Sequence, residues 1–191
     1  MKKSLFSLAL LALLGGLSHT VSAQSAQLSP NSVMVGGMAM LPSKNIIENA
    51  LNSKDHTTVV AAVKAAGLVE TLQGKGPFTV FAPVNDAFEN LPNGTVETLL
   101  KPESKAALTK VLTYHVVAGN MSADKLMAAI KAGKGKATLK TVSGGTLTAM
   151  MNGAHNVVLV DESGNVASIS TYDVTQSNGV IHVVDKVLLP K

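Results

Sequence analysis

Phe78-Thr-Val-Phe-Ala-Pro-Val-Asn-Asp-Ala-Phe88 and Asn178-Gly-Val-Ile-His-Val-Val-Asp-Lys-Val-Leu-Leu-Pro190 are the stretches whose reading decides the fold. Each opens at or just after turn residues and then runs apolar, as strands covered on both faces do. Three of the four Phe in the chain fall in the first stretch, while aromatic residues make up only 3% of the whole. That concentration marks the dense centre of a core.

Working outward from Phe78, the preceding residues read as helices. Asn45 has Glu48 three positions later, the spacing of a capping box. Val59, Val63 and Ala66 share a helical face that stops at Gly67, and a short helix at 68–73 stops at Gly74. After the strand at 78–82, Pro83 closes it and Asn85-Asp86 is placed to cap a short helix through Phe88. Pro102 suits the first turn of a helix carrying Leu108, Val111 and Leu112, and Ser122 caps another with Leu126 and Ile130 four apart.

From Lys136 the period changes from helical to extended. Strands are predicted at 137–142, 146–151, 156–160, 166–170 and 180–189, with another possible at 115–117. Gly144-Gly145, Asn152-Gly153, Ser163-Gly164 and Asn178-Gly179 separate them as turns. Helices first and strands afterwards, without internal repeat, predict a single α+β domain.

The ends of the chain speak about location. Lys2 and Lys3, an apolar run from Leu5 to Leu17 and the small residues Val21-Ser-Ala23 read as a secretory signal over 1–23, cleaved near Ala23. The apolar run is too short for a membrane span, which needs about 20 residues. Residues 24–42, a Ser/Gln/Pro/Gly/Met stretch without period, are expected to be a flexible arm, and the domain to occupy 43–189. The product is expected in the periplasm or outside the cell.

Composition removes several function classes. The chain has no Arg, and its 16 Lys against 12 acids leave +2 once two Lys depart with the signal. That bias is too weak to imply nucleic acid, and a bidentate phosphate reader would rely on Arg. Without Cys there are no disulfides, thiol nucleophiles or thiolate metal sites. Met34, Met38, Met40, Met150, Met151 and His155 are soft donors, but they form no tight repeat, so no metal or cofactor is expected. No nucleophile elbow, His-Glu-x-x-His pair or phosphate-cradling loop occurs, so no catalytic residue is nominated and an enzyme is not expected.

The two opening stretches, with Tyr114-His115 between them, resemble the two homology boxes and central Tyr-His of the fasciclin (FAS1) family. The resemblance covers about 43–189 and keeps the family order of the three motifs. It implies a β-wedge flanked by helices, and a role in cell adhesion or cell-surface interaction. It also implies a partner that is a surface or matrix protein or glycan. In animal members an Asp just before the second box belongs to an integrin-binding motif, and Asp173-Val174 stands at that place here. Tyr172 and Thr175 depart from the pattern.

These readings leave a short set of candidate residues. Asp173 and Val174 are the candidate adhesive patch, although Asp173 alone also reads as a cap on the turn into Asn178-Gly179. Tyr114 and His115 read as a buried pair whose hydroxyl and imidazole bond nearby backbone or Asn85, or else as a pair shaping an adhesive surface. His182, flanked by Ile181 and Val183, reads as a satisfied core histidine. The leading expectation is a monomeric adhesive module. The alternative is a soluble envelope protein holding a small apolar or lipidic ligand in a cleft.

Overall fold

The computed structural model describes residues 31–191, so the expected signal at 1–23 and the first part of the expected arm lie outside the described residues. The strand parts of the two quoted stretches, β3 (Phe78–Pro83) and β9 (Gly179–Val184), lie side by side. They pair in parallel, with Phe78 opposite Gly179 and Pro83 opposite Val184. All six residues of β9 are buried, which is why this segment shows no alternation of polar and apolar side chains.

β4 (Val116–Ala118) pairs antiparallel with the free side of β3. Beyond β9 an antiparallel meander follows, through β8 (Val166–Gln176), β7 (Asn156–Val160), β6 (Thr146–Asn152) and β5 (Lys136–Lys140). The resulting order is β4-β3-β9-β8-β7-β6-β5. Its two ends almost meet. Thr141, just past β5, bridges Val117 of β4, and the Val142 N–H donates to Val116 O at 2.8 Å. Near-closure removes most of the exposed sheet edge.

Helices cover this sheet in the predicted order. α1 (Ile46–Ala50) opens with a complete capping box between Asn45 and Glu48. α2 (Thr57–Ala66) ends on Gly67 in the left-handed conformation, and α3 (Val69–Gln73) ends at Gly74. α4 (Asn85–Glu89) and α5 (Thr95–Leu99) follow, the latter absent from the sequence reading. α6 (Lys105–Tyr114) and α7 (Ala123–Ala132) complete the set. One core cluster joins Phe81, Leu147 and Leu159 to Leu126 and Ile130 of α7. A second joins Ile47, Ala62 and Val63 to Leu108 and Leu112 of α6. The protein is α+β, as expected.

Three of the differences from the sequence reading change the architecture. Part of the stretch read as an aperiodic arm is a hairpin, β1 (Val33–Val35) and β2 (Met38–Met40). Gly36 and Gly37 both adopt positive φ, +60° and +75°, as a two-residue hairpin turn requires. Val35 and Met40 are buried against Val174, Ile181 and Val183, so burial rather than period holds this segment. Second, β8 continues to Gln176 because register shifts at Thr171 and Val174 absorb a bulge, with Asp173 at φ +54°. Third, β9 stops at Val184, while Val187 and Leu188 stay buried beyond it.

The β3–β9 contact leaves no room for a side chain at its first residue. A Cβ on Gly179 would lie 2.0 Å from Phe78 O, a backbone atom that cannot rotate aside. Gly179→Ala is therefore expected to lower the unfolding free energy by about 3 kcal/mol. Urea denaturation measures it, and a midpoint equal to the parent's would refute the packing argument.

Candidate functional site

Tyr114 and His115 end α6 and turn the chain into β4. The Tyr114 hydroxyl donates to Thr146 O at 2.6 Å and accepts from the Glu162 N–H at 3.0 Å, tying α6 to β6 and to the loop after β7. Burial pushes its pKa up to about 12, with the carboxylates of Glu162 and Asp161 adding to the effect and the Glu162 N–H opposing it. His115 Nδ1 donates to Val111 O at 2.8 Å, and its Nε2 accepts from the Leu188 N–H at 3.0 Å. One nitrogen gives and one receives, so the ring is neutral. Burial holds its pKa down at about 4. The pair is buried and bonded to backbone, and Asn85 is not its partner.

Asn85 does something else. It does not cap its own helix, whose N-cap is Val84. Its Oδ1 accepts from the Thr58 N–H at 3.0 Å, and its Nδ2 donates to Lys54 O at 2.9 Å. Thr58 lies in the first turn of α2, so Asn85 caps a helix distant in sequence.

Asp173 and Val174 are not a free surface pair. Val174 is 1% exposed and sits in the core beside Val35 and Met40. Asp173 is half-buried, and its Oδ1 accepts from the Ala123 N–H at 2.8 Å, at the first residue of α7. It therefore supports α7 beside Ser122, not the turn into Asn178-Gly179. The Asp173 N–H donates to His182 Nδ1 at 3.3 Å, and His182 Nε2 donates to Met121 O at 2.8 Å. His182 is fully buried, stacks on Phe81 at 5.6 Å, and is held neutral by burial. The reading of a satisfied core histidine agrees with this geometry.

The polar residue the sequence reading missed is Asn178, taken there only as a turn. Its Oδ1 accepts from the Ile46 N–H at 3.0 Å, and its Nδ2 donates to Leu72 O and Gly74 O, both at 2.8 Å. One side chain thus satisfies the start of α1 and the end of α3. An Asn-Gly pair signals a turn and nothing more, so local pattern could not announce these partners.

The comparison with known proteins meets the same architecture. The fasciclin domain family matches residues 54–190. The chain belongs to the fasciclin family. Protein sll1483 of Synechocystis sp. is 43% identical over 90% of this chain and 87% of its own length. The cell surface glycolipoprotein MPB83 of Mycobacterium bovis is 34% identical over 82% of this chain and 64% of its own. The solved FAS1 domain pair of the insect cell adhesion molecule fasciclin I superposes with a TM-score of 0.67 at 18% identity. That superposition covers 76% of this fasciclin chain and about half (51%) of the insect chain, and it shows the fold alone.

The buried imidazoles make this fasciclin domain sensitive to acid. His115 ordinarily titrates at 6.5 and in the fold near 4, so the unfolded chain binds the extra proton between those values. Stability is full above pH 6.5 and is lost as pH falls toward 4, by about 3 kcal/mol from His115. His56 and His182, also lowered by burial, add to the same slope. Urea midpoints at about pH 7.5, 5.5 and 4.5 check this; a flat profile over that span would contradict it.

Proposed function

We propose that this fasciclin-domain protein acts outside the cytoplasm as a non-catalytic module that binds a cell-surface or matrix macromolecule. The observation that carries the reading is membership of the fasciclin family, whose relatives include a protein named for the cell surface. Delivery would use the signal over 1–23 with cleavage near Ala23, and the product would act as a monomer. Among the described residues no helix is long and apolar enough to cross a membrane.

The geometry supports a choice of residues to meet a partner. Tyr114, His115, Asn85 and Asp173 all spend hydrogen bonds on the framework. The β1–β2 turn lies against residues 53–55, where a Cβ on Gly36 would meet Ser53 Oγ at 2.5 Å. Met34 and Met38 flank this turn, and both are exposed, as is Leu51. Exposed large apolar residues beside this turn suit a macromolecular contact.

Labelled protein binding to the producer's own envelope, and to a glycan and matrix-protein array, tests the reading. Saturable binding that needs the folded state and weakens about tenfold in Met34→Glu/Met38→Glu is expected. Absence of binding to any of these would remove the adhesive assignment.

Two substitutions at Asp173 separate support from contact. Asp173→Ala is expected to cost about 1–2 kcal/mol, from the lost acceptor at α7 and the left-handed backbone. Asp173→Asn keeps the acceptor and tolerates that conformation, so its unfolding midpoint should match the parent's. If Asp173→Asn keeps its stability but loses binding, the carboxylate is itself an adhesive contact.

A further inference from the structure

The small net charge of the chain conceals a division. From Lys125 to Val160 there are five Lys and no Asp or Glu, which leaves 9 Lys against 12 acids in the rest of the expected mature chain. Charge asymmetry of this kind bears on partners rather than on fold. The basic segment runs from α7 through β5 and β6 to β7. Lys125 is occupied, its Nζ donating to Asn120 O at 2.9 Å. Lys131, Lys134, Lys136 and Lys140 are exposed, and none of their ammonium groups pairs with another described residue.

The fold brings these four to the last strand of the sheet, β5. The turn after α7 is tight: the Lys134 N–H donates to Lys131 O at 3.1 Å, and the Gly135 N–H to Ile130 O at 2.8 Å. It sets Lys131, Lys134 and Lys136 together at the start of β5. Along β5, Ala137 and Leu139 are buried while Lys136, Thr138 and Lys140 face outward. Lys136 and Lys140 therefore stand about 13 Å apart along the strand. In register with Lys136, Thr138 and Lys140 on β6 are Met150, Thr148 and Thr146. The Thr138 and Thr148 hydroxyls have no hydrogen-bond partner among the described residues. Glu162 approaches at the Lys140 end, where its carboxylate accepts from the Thr146 N–H at 3.0 Å and the Lys191 N–H at 3.2 Å.

We infer that the outer face of β5, with the turn before it, is a binding surface for an acidic polysaccharide, a sugar chain bearing repeated carboxylate or sulfate groups. Four unpaired ammonium groups supply the complementary charge. Their spread calls for a ligand with several anionic groups, since one sugar acid could not meet Lys136 and Lys140 together. The free Thr138 and Thr148 hydroxyls between them suit sugar hydroxyls. A protein partner fits less well: interface centres are rich in aromatic residues and poor in Lys, and β5 and β6 hold no aromatic residue. The same lack of rings offers nucleic-acid bases no stacking platform, and the absence of Arg removes bidentate phosphate contacts. This glycan contact presupposes the extracytoplasmic binding role proposed above and uses residues other than Met34 and Met38.

Calorimetric titration of purified protein with polygalacturonate, dextran sulfate and uncharged dextran tests this. Saturable binding to both polyanions, none to dextran, and release by about 1 M NaCl are expected, since screening then acts within about 3 Å. Lys131→Gln/Lys136→Gln/Lys140→Gln is expected to weaken the binding about tenfold without moving the unfolding midpoint, because these side chains are exposed. Lys75→Gln/Lys101→Gln/Lys105→Gln removes the same charge from other exposed positions and should leave the affinity unchanged. The comparison of polyanions with dextran uses the parent protein, so it holds whether or not the variants fold. Equal weakening by both variants, no polyanion binding, or tighter binding to phosphatidylglycerol vesicles or duplex DNA would overturn the inference. So would self-association that the first variant alone abolishes, which would give this face to a second copy. Any of these leaves the envelope-binding assay to decide the broader role by itself.

Discussion

The rest of the structure depends on the parallel pairing of β3 with β9. It joins segments roughly a hundred residues apart, and the entropy of closing so long a loop must be recovered by what the pairing buries. Recovery comes at every position. β9 is buried throughout, Phe81 lies opposite His182 and stacks on its ring, and Gly179 lets the backbones approach where no side chain would fit. β4 and β8 take the two outer edges of the pair. Asn178, immediately before β9, then binds the ends of α1 and α3 to this centre. Helices and meander alike are positioned from one pairing.

Neutral imidazoles are part of this framework. His115 and His182 each receive one backbone N–H and give one proton to a carbonyl, which holds chain segments that no strand ladder reaches. A lysine or arginine could not do this, because neither can accept a hydrogen bond. The same property exposes the fold to acid, since a protonated ring would aim a donor at another donor. His56 is the same residue type, and its Nε2, closed off from solvent, has no hydrogen-bond partner.

The β1–β2 hairpin is part surface and part core, with Met34 and Met38 exposed and Val35 and Met40 buried. By register Met34 and Ala39 share one face, while Val33, Val35, Met38 and Met40 share the other, on which Val35 and Met40 are buried and Met38 is exposed. Belonging to the fasciclin family accounts for the scaffold. Which molecules it meets depends on this local chemistry.

Elements and their order were legible in the residues because each signal is local. The Asn45–Glu48 box, the Gly67 stop, the Ser122 cap and the turn pairs between strands act within a few positions, and all of these lie where the pattern placed them. The hairpin at 33–40 was also written locally, in Gly36-Gly37, but its short strands carry no period long enough to stand out. The roles of polar residues were decided elsewhere. Asp173 reaches α7, Asn85 reaches α2, and Asn178 reaches α1 and α3, across distances in sequence that no motif spans. Val174 resembles a surface motif in the chain and is core in the fold, because the bulge at Asp173 sets which face it takes. By itself the sequence determined family, element order and the identity of the central strands, since hydrophobic period and capping are properties of neighbours. Only the tertiary structure decided which polar atoms are satisfied and which one, His56 Nε2, is left open, because a hydrogen bond is settled by what lies across the fold rather than along the chain.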